Sequence, residues 1–593
     1  MERRARLRVW APNATHTVEV ETGGRRTALE REGDGGFWSG EVPGLAPGDD
    51  YWVALDRGDR FPDPTSRFQP EGVRGPSRVV EPAIAWSDQS WRGVELEDVV
   101  AYELHVGTFT PEGTLDAAAA RLDHLAGLGV TAVELMPLAD FPGDRGWGYD
   151  GVHLWAVHRA YGGPDALDRF VDAAHARGLA VLVDVVYNHL GPDGAVLPRL
   201  GPYLTDRHHT PWGPAVNLDG PDSDGVRELI AGNALMWMRD HHVDGLRLDA
   251  IHAIVDQSAV HLLEELAGRV RALEGELGRR LLLVAESDLN DPRVVRAAPE
   301  GGWGQDAQWS DDFHHALWTA LTGDRAGYYA DFGPLAEVAR TLHRGVVYEG
   351  QRSRYRRSLH GRPYTGVGSH RLLGYLQNHD QVGNRATGER STALLGPDAL
   401  RAAAATVLLG PFTPMLFMGE EWGATTPFQY FTDHTDAELA AAVSRGRRSE
   451  FAAFGWRPED VPDPQDHATF ARSRLDWTEP EREPHASLLT WHRELIAIRR
   501  ARRRGPSGWS PDGAGFAGVV CRTDDAARTL VLRCHGTVVA WNLGGAAAAV
   551  RLGGADRVLL SSVPGWAPPP SGEAVIPAGG TVVLAAGDGG PQG

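Results

Sequence analysis

From about residue 98 to 420, short apolar runs ending in polar residues alternate with helical segments, and this repetition constrains the fold more than any other feature. Eight runs are present, at 99–109, 132–138, 180–189, 245–249, 281–286, 305–309, 372–380 and 415–420. The sixth is weak and is inferred from its place in the series. Segments 114–128, 164–177, 225–241 and 257–277 read as helices, the last with apolar residues at helical spacing. Strands and helices in strict alternation imply a parallel sheet, and eight such units imply an α/β (β/α)8 TIM barrel instead of an open sheet.

The flanks read differently. Residues 1–92 alternate in the manner of strands, as in Leu7-Arg8-Val9-Trp10 and Thr17-Val18-Glu19-Val20, with Gly, Asp and Pro between them. That pattern predicts an N-terminal β-sandwich of immunoglobulin type, with Trp38 and Tyr51 on its inner face. The barrel is expected over 93–505, with a loop insertion at 190–223 that is rich in Gly, Pro, His and Asp. A loop of that length without its own helix is usually functional. An Arg-rich stretch, 352–362, reads as an exposed loop or a salt-bridged lid. A small C-terminal β-domain is expected over 506–593, ending in a disordered tail, 587–593.

Composition excludes several chemistries. The sequence contains no lysine, so Schiff-base, pyridoxal-phosphate, P-loop and Ser-Lys mechanisms are all ruled out. The net charge of −20 argues against nucleic acid or an anionic membrane as partner, while a neutral sugar is not disfavoured. Cys521 and Cys534 are too few for a disulfide framework and read as reduced strand or core residues, although a single bridge between them stays open. The N-terminus leads into a polar alternating strand, and no stretch approaches the ~20 apolar residues of a membrane span. A cytoplasmic location is the expectation.

Chemistry concentrates where the barrel strands end. In a strand, alternate residues share a face, and barrel enzymes place reactive groups at the C-terminal strand ends. In Gly245-Leu246-Arg247-Leu248-Asp249 this puts Arg247 and Asp249 inside and the two leucines against the helices. An arginine so placed favours an ionised aspartate, which a carboxylate nucleophile requires. Glu286 ends the apolar run 281–286, a setting that holds a proton for donation. Asp380 ends the seventh run, and Asn188 and His189 end the third. One strand-end acid often does no more than cap the next helix, but four polar endings in one barrel outweigh that reading. Two carboxylates ~5 Å apart can cleave a glycosidic bond by double displacement, with a third supporting the transition state. Clustered His and Asp also suit metal-assisted hydrolysis. His189 and His379, however, adjoin Asn188 and Asn378, and no His-x-x-x-His pair falls on a predicted helix among them. No metal and no cofactor are expected.

The segments 184–189 and 245–249, with those around Glu286 and Asn378-His379-Asp380, resemble the four characteristic regions of the α-amylase superfamily. The resemblance covers roughly 98–500. It implies Asp249 as nucleophile, Glu286 as general acid/base and Asp380 as transition-state stabiliser. It also implies that Arg247, His189 and His379 contact the sugar in subsite −1 and that Tyr149 stacks on it. The motif Leu7-Arg8-Val9-Trp10-Ala11-Pro12 is similar to the N-terminal sandwich of branching, debranching and trehalose-releasing members. The stretches 309–315 with Gly327-Tyr328-Tyr329, and 419–424 with 431–434, resemble the malto-oligosyltrehalose trehalohydrolase family in particular. This implies cleavage of the α-1,4 bond beside a terminal trehalose, with His252 lining the +1 side and Asp312 to His315, including His314, recognising trehalose. Coupling to a malto-oligosyltrehalose synthase is implied as well. A 1,4-α-glucan branching enzyme and an α-1,6 debranching hydrolase are the alternatives. In one respect the chain departs from calcium-dependent α-amylases, because the loop at 190–223 lacks the carboxylates for about six oxygen ligands. Asn188 is therefore expected to orient its neighbours.

Overall fold

The computed structural model describes residues 4–81, 84–452, 456–502, 505–569 and 573–586. The tail at 587–593 lies outside them.

Eight parallel strands close into a barrel: β1 (Ala101–Leu104), β2 (Ala132–Leu135), β3 (Ala180–Val185), β4 (Gly245–Leu248), β5 (Leu282–Ala285), β6 (Ala307–Trp309), β7 (Leu372–Gly374) and β8 (Thr413–Phe417). They pair in chain order, and β8 returns to β1 through Met415↔Ala101 and Phe417↔Glu103. Each of the eight expected runs supplies one strand. The sixth is only three residues long, which is why its signal is weak.

Helices cover the barrel at Leu122–Leu128, Gly163–His175, Ser223–Asp240, Leu262–Leu277, Asp311–Thr322, Pro397–Leu409 and His485–Ala501. The repetition is broken once: β5 passes to β6 without an α-helix and contains only the 3-10 turn Ala298–Glu300. Pro292, Pro299, Gly301, Gly302 and Gly304 account for this, since proline and glycine both disfavour a helix interior. The insertion after β3 carries a four-residue helix, Leu197–Leu200, and a hairpin of Leu204–Thr210 with Gly213–Val216. The arginine-rich stretch also lies on a hairpin, Glu349–Arg352 with Leu359–Gly361.

The alternation expected of β4 is present. Leu246 and Leu248 pack with the helices, while Arg247 points inward and is fully buried. Ala101, Ala132, Ala180, Leu182, Leu282, Val284, Trp309 and Met415 fill the barrel interior. Above this apolar layer the inward positions become charged: Glu103 beside Glu134, and Asp184 beside Arg247, each pair in register on neighbouring strands. The barrel thus carries a charged layer directly beneath its open face.

At the N-terminus, Arg4–Trp10, Phe37–Pro43 and Glu30–Glu32 form one antiparallel sheet, and Arg25–Ala28, Val18–Thr22, Asp50–Leu55 and Arg60–Phe61 form another. Val9, Val20, Trp38, Tyr51 and Val53 are buried, as the alternation implies. The segment leading to the barrel is held at its closed end: Trp86 stacks on His242, Trp91 stacks on His175, and the Trp91 indole donates to Asp244 at 2.7 Å. At the C-terminus a five-stranded antiparallel sheet and a two-stranded one pack together. Cys521 and Cys534 lie there as buried free thiols.

Candidate active site

β4 delivers Asp249 directly after its last residue, Leu248, with the Asp249 amide still donating to the Val185 carbonyl at 3.1 Å. Arg247 Nη1 donates to Asp249 Oδ1 at 2.6 Å and to Asp184 Oδ2 at 2.8 Å. Asn188, at the end of β3, donates its Nδ2 to Asp249 Oδ2 at 2.7 Å and to the Asp249 carbonyl at 2.8 Å. Both Asp249 oxygens thus accept from a fixed donor, an arrangement suited to the ionised carboxylate. Asn188 orients the aspartate, as expected. The guanidinium lies over the Trp309 ring, 4.4 Å from its centroid, so an aromatic floor fixes its height in the barrel.

The chain then turns sharply. Ala250 has φ 40°, a left-handed conformation unusual for a residue with a β-carbon. The turn aims the Ala250 amide at Glu286, donating to Oε2 at 2.6 Å, and the Ile251 amide donates to the Glu286 carbonyl at 3.0 Å. Strain at such a position is a mark of functional sites. Arg247 Nη2 also lies 3.7 Å from Glu286 Oε2, so a single guanidinium reaches both acids. Burial raises the Glu286 carboxyl well above the ordinary range; Arg247 opposes that rise, and Asp249, Asp311 and Asp380 reinforce it. A carboxyl raised in this way is suited to holding a proton.

Asp380 follows β7 in the short helix His379–Gly383, with its carboxylate 43% exposed to the cleft. His379 Nε2 lies 3.5 Å from Asp380 Oδ1, and Asn384 Nδ2 donates to that oxygen at 3.3 Å. The Tyr149 ring stacks on His379, with centroids 5.2 Å apart, and its hydroxyl donates to Asp184 Oδ2 at 2.6 Å. His189 is buried against the Tyr149 carbonyl, and its ring stacks on Trp212, which projects half-exposed from the inserted hairpin. Asp249, Glu286, Asp380, Arg247, Tyr149, His189 and His379 therefore converge on one mouth of the barrel.

The residues taken from the trehalohydrolase resemblance divide. His252 is exposed on the 3-10 turn after β4, with Asp288 among its charged neighbours. Asp312 lines a cleft with Asp288, Asp311, His315, Tyr328 and Arg356. Its Oδ2 accepts from Asn290, Val347 and Tyr348, which makes it chiefly an anchor for two loops. His314 needs correction as a sugar contact. It is fully buried, with Nδ1 against the Leu376 carbonyl and Nε2 against the Tyr329 hydroxyl. One step round the helix, about 100°, turns its neighbour His315 to the cleft instead.

Sequence reasoning missed three acids. Asp184 accepts from both Arg247 and Tyr149, and burial pushes it up to about 6. Asp311, half-buried at the start of the helix after β6, accepts from the Tyr375 hydroxyl and is pushed up to about 7, desolvation being the main cause. Glu103 accepts from His379 through both oxygens. For Asp184 and Glu103 the available signal was a charged residue at an inward position of an otherwise apolar strand. Among the described residues no group of three or more His, Cys, Asp or Glu side chains is arranged to hold a metal ion.

The family model for the catalytic domain of α-amylase matches residues 62–198. A malto-oligosyltrehalose trehalohydrolase from Arthrobacter ramosus is 56% identical over 84% of this chain and 87% of its own. One from Rhizobium sp. (strain M-11) is 51% identical over 88% of each. The crystal structure of a putative α-amylase from Salmonella typhimurium superposes with a TM-score of 0.88 at 38% identity, covering 98% of both chains. With the closed barrel and its carboxylate-lined mouth, these matches place the fold and the kinship together: the chain belongs to the malto-oligosyltrehalose trehalohydrolase family, within the α-amylase superfamily of glycoside hydrolases.

Proposed function

We propose that the cleft hydrolyses the α-1,4-glucosidic bond next to the terminal trehalose of malto-oligosyltrehalose, with retention, releasing trehalose and a shorter maltodextrin. The observation that carries the chemistry is the single guanidinium of Arg247, which reaches an aspartate held by two donors and a glutamate held as an acid. Asp249 attacks the anomeric carbon while Glu286 gives its proton to the departing glycosidic oxygen. Glu286, now ionised, takes a proton from water, which displaces Asp249 from the anomeric carbon. Two inversions give net retention.

Asp380 supports the oxocarbenium-like transition state, Tyr149 stacks on the sugar, and Arg247, His189 and His379 line subsite −1. His252 faces the +1 sugar, and the cleft containing Asp312, Asp311 and His315 takes the trehalose unit. The chain divides into the sandwich 1–92, the barrel 93–505 and the C-terminal domain 506–593. It acts in the cytoplasm on a product of a malto-oligosyltrehalose synthase. Among the described residues no helix is long and apolar enough to cross a membrane.

Incubation with malto-oligosyltrehalose, followed by chromatography, tests the substrate. Free trehalose and a maltodextrin two glucose units shorter are expected. Branched or lengthened glucans without trehalose would make the chain a branching enzyme, and action confined to α-1,6 bonds would make it a debranching hydrolase.

A further inference from the structure

Glu103, on β1, sits beneath the acids named above and touches none of them. Its side chain is buried and takes two donors from one residue: the His379 backbone amide at Oε2, 2.9 Å away, and the His379 ring nitrogen Nδ1 at Oε1. On the other side of the ring, Nε2 lies 2.8 Å from the Tyr149 hydroxyl oxygen. That hydroxyl has one proton, and it goes to Asp184 Oδ2, which also accepts from Arg247. Toward His379 the tyrosine can therefore only accept, so Nε2 must carry a proton. Nδ1 faces a carboxylate and must carry one too. Hydrogen bonding alone makes His379 an imidazolium.

The charge under the ring is then assigned. Glu103 and Glu134 are register partners on adjacent strands, both buried. Two neighbouring carboxyls in so dry a place do not both ionise. Glu103 has the cationic partner, whereas both Glu134 oxygens lack a hydrogen-bond partner among the described residues. Burial, then the Glu103 charge, raise Glu134 well above the ordinary carboxyl range. The same bookkeeping appears at His379, which is pushed up to about 9: burial works against the cation, and Glu103 and Asp380 outweigh it. Arg247 also opposes the cation, and the nearby His105 is driven down to about 4, chiefly by burial.

We propose that Glu103 is a positioning residue for the glucosidase reaction: it keeps His379 doubly protonated, so that the ring offers an N–H beside Asp380 instead of a lone pair, while Glu134 beneath it remains a neutral acid. The proposal deepens the reading of this cleft as a glucosidase site and rests on it for its kinetic consequence, though not for the protonation state itself.

Two measurements on the full chain separate these. The first is NMR titration of the histidine ring carbons, with the His379 signal identified by its loss in His379→Asn. The ring is expected to stay cationic beyond pH 8 in the wild type and to titrate about two units or more lower in Glu103→Gln. Equal titration in the two proteins, or a wild-type ring neutral at pH 7, overturns the proposal whatever the substrate proves to be. The second compares kcat/KM on malto-oligosyltrehalose across pH for wild type, Glu103→Gln, Glu103→Asp and Glu134→Gln. The deficit of Glu103→Gln is expected to be small near pH 5 and to grow to about tenfold or more by pH 8, as the weakened imidazolium loses its proton. Glu103→Asp should restore much of it, and Glu134→Gln should follow the wild type. Glu286 titrates in every variant alike, so it cancels in these ratios. A deficit that is the same at every pH marks Glu103 as structural only, and a Glu134→Gln profile matching that of Glu103→Gln assigns the charge to the wrong glutamate. Absence of any trehalose release would instead fault the substrate reading and leave the titration result standing.

Discussion

Arg247 Nη1 lies 2.6 Å from Asp249 Oδ1, two residues further along the same strand, so the cation and the acid share one inward face. Arg247 is fully buried and also holds Asp184. Removing it leaves two carboxylates without their cation in a dry barrel, which costs about 3–5 kcal/mol when one partner of a buried pair is lost. Arg247→Met is expected to lower kcat/KM by about 10²–10³-fold and to reduce folding stability, as checked by steady-state kinetics and denaturant melts.

Glu286 gives the pH dependence its sign. Burial raises its carboxyl, and the proposed reaction uses the protonated form. Activity is therefore present below the folded-state value and is lost as pH rises through it. Glu286→Gln cannot donate a proton to the leaving oxygen; kcat should fall by about 10²–10⁴-fold, and this alkaline limb should disappear from the residual rate. A pH–rate profile of both proteins checks it, and an unchanged limb in the variant would assign the acid elsewhere.

Tyr149 and Asp184 act as a unit, because the tyrosine hydroxyl donates to the same Asp184 oxygen that accepts from Arg247. Tyr149→Phe and Asp184→Asn should therefore be non-additive, with a coupling of about 0.5–3 kcal/mol in a double-mutant cycle on kcat/KM. Additivity would mean that the hydroxyl contributes nothing through Asp184.

How much of this could be read from the chain depended on the range of each interaction. The barrel was legible because its signal is local: each strand is a short apolar run and each acid ends one. Even β6, with three residues, was locatable by its place in the series. The missing helix between β5 and β6 was written in Pro292, Pro299 and Gly301 to Gly304, although the repetition around it invited an eighth regular unit. Glu103 stood out only as a charge in an apolar strand; its role was not legible, because its partner His379 is 276 positions away and only the closed barrel brings them together. His314 and His315 could not be told apart by resemblance, since both are buried and a single helical step decides which ring borders the cleft.

Gly383 ends the helix that carries Asp380, and here the need is for space: a β-carbon would come within 2.0 Å of the Trp147 ring. Trp147 in turn packs edge-on to His379 and stacks on Phe428. Gly383→Ala should overpack this contact at about 1–3 kcal/mol. Displacement of Trp147 should lower kcat/KM with the three acids intact. Thermal denaturation with parallel kinetics checks both, and a variant as stable and active as the wild type would show that Trp147 has room to move.

The most direct test of retention by Asp249 and Glu286 is the anomer released first. Proton NMR during hydrolysis of malto-oligosyltrehalose follows the new reducing end of the maltodextrin before mutarotation, alongside non-reducing trehalose. The expected result is the α-anomer appearing first, together with trehalose, and the β-anomer only later. First appearance of the β-anomer would require a single displacement by water and would contradict a nucleophilic Asp249.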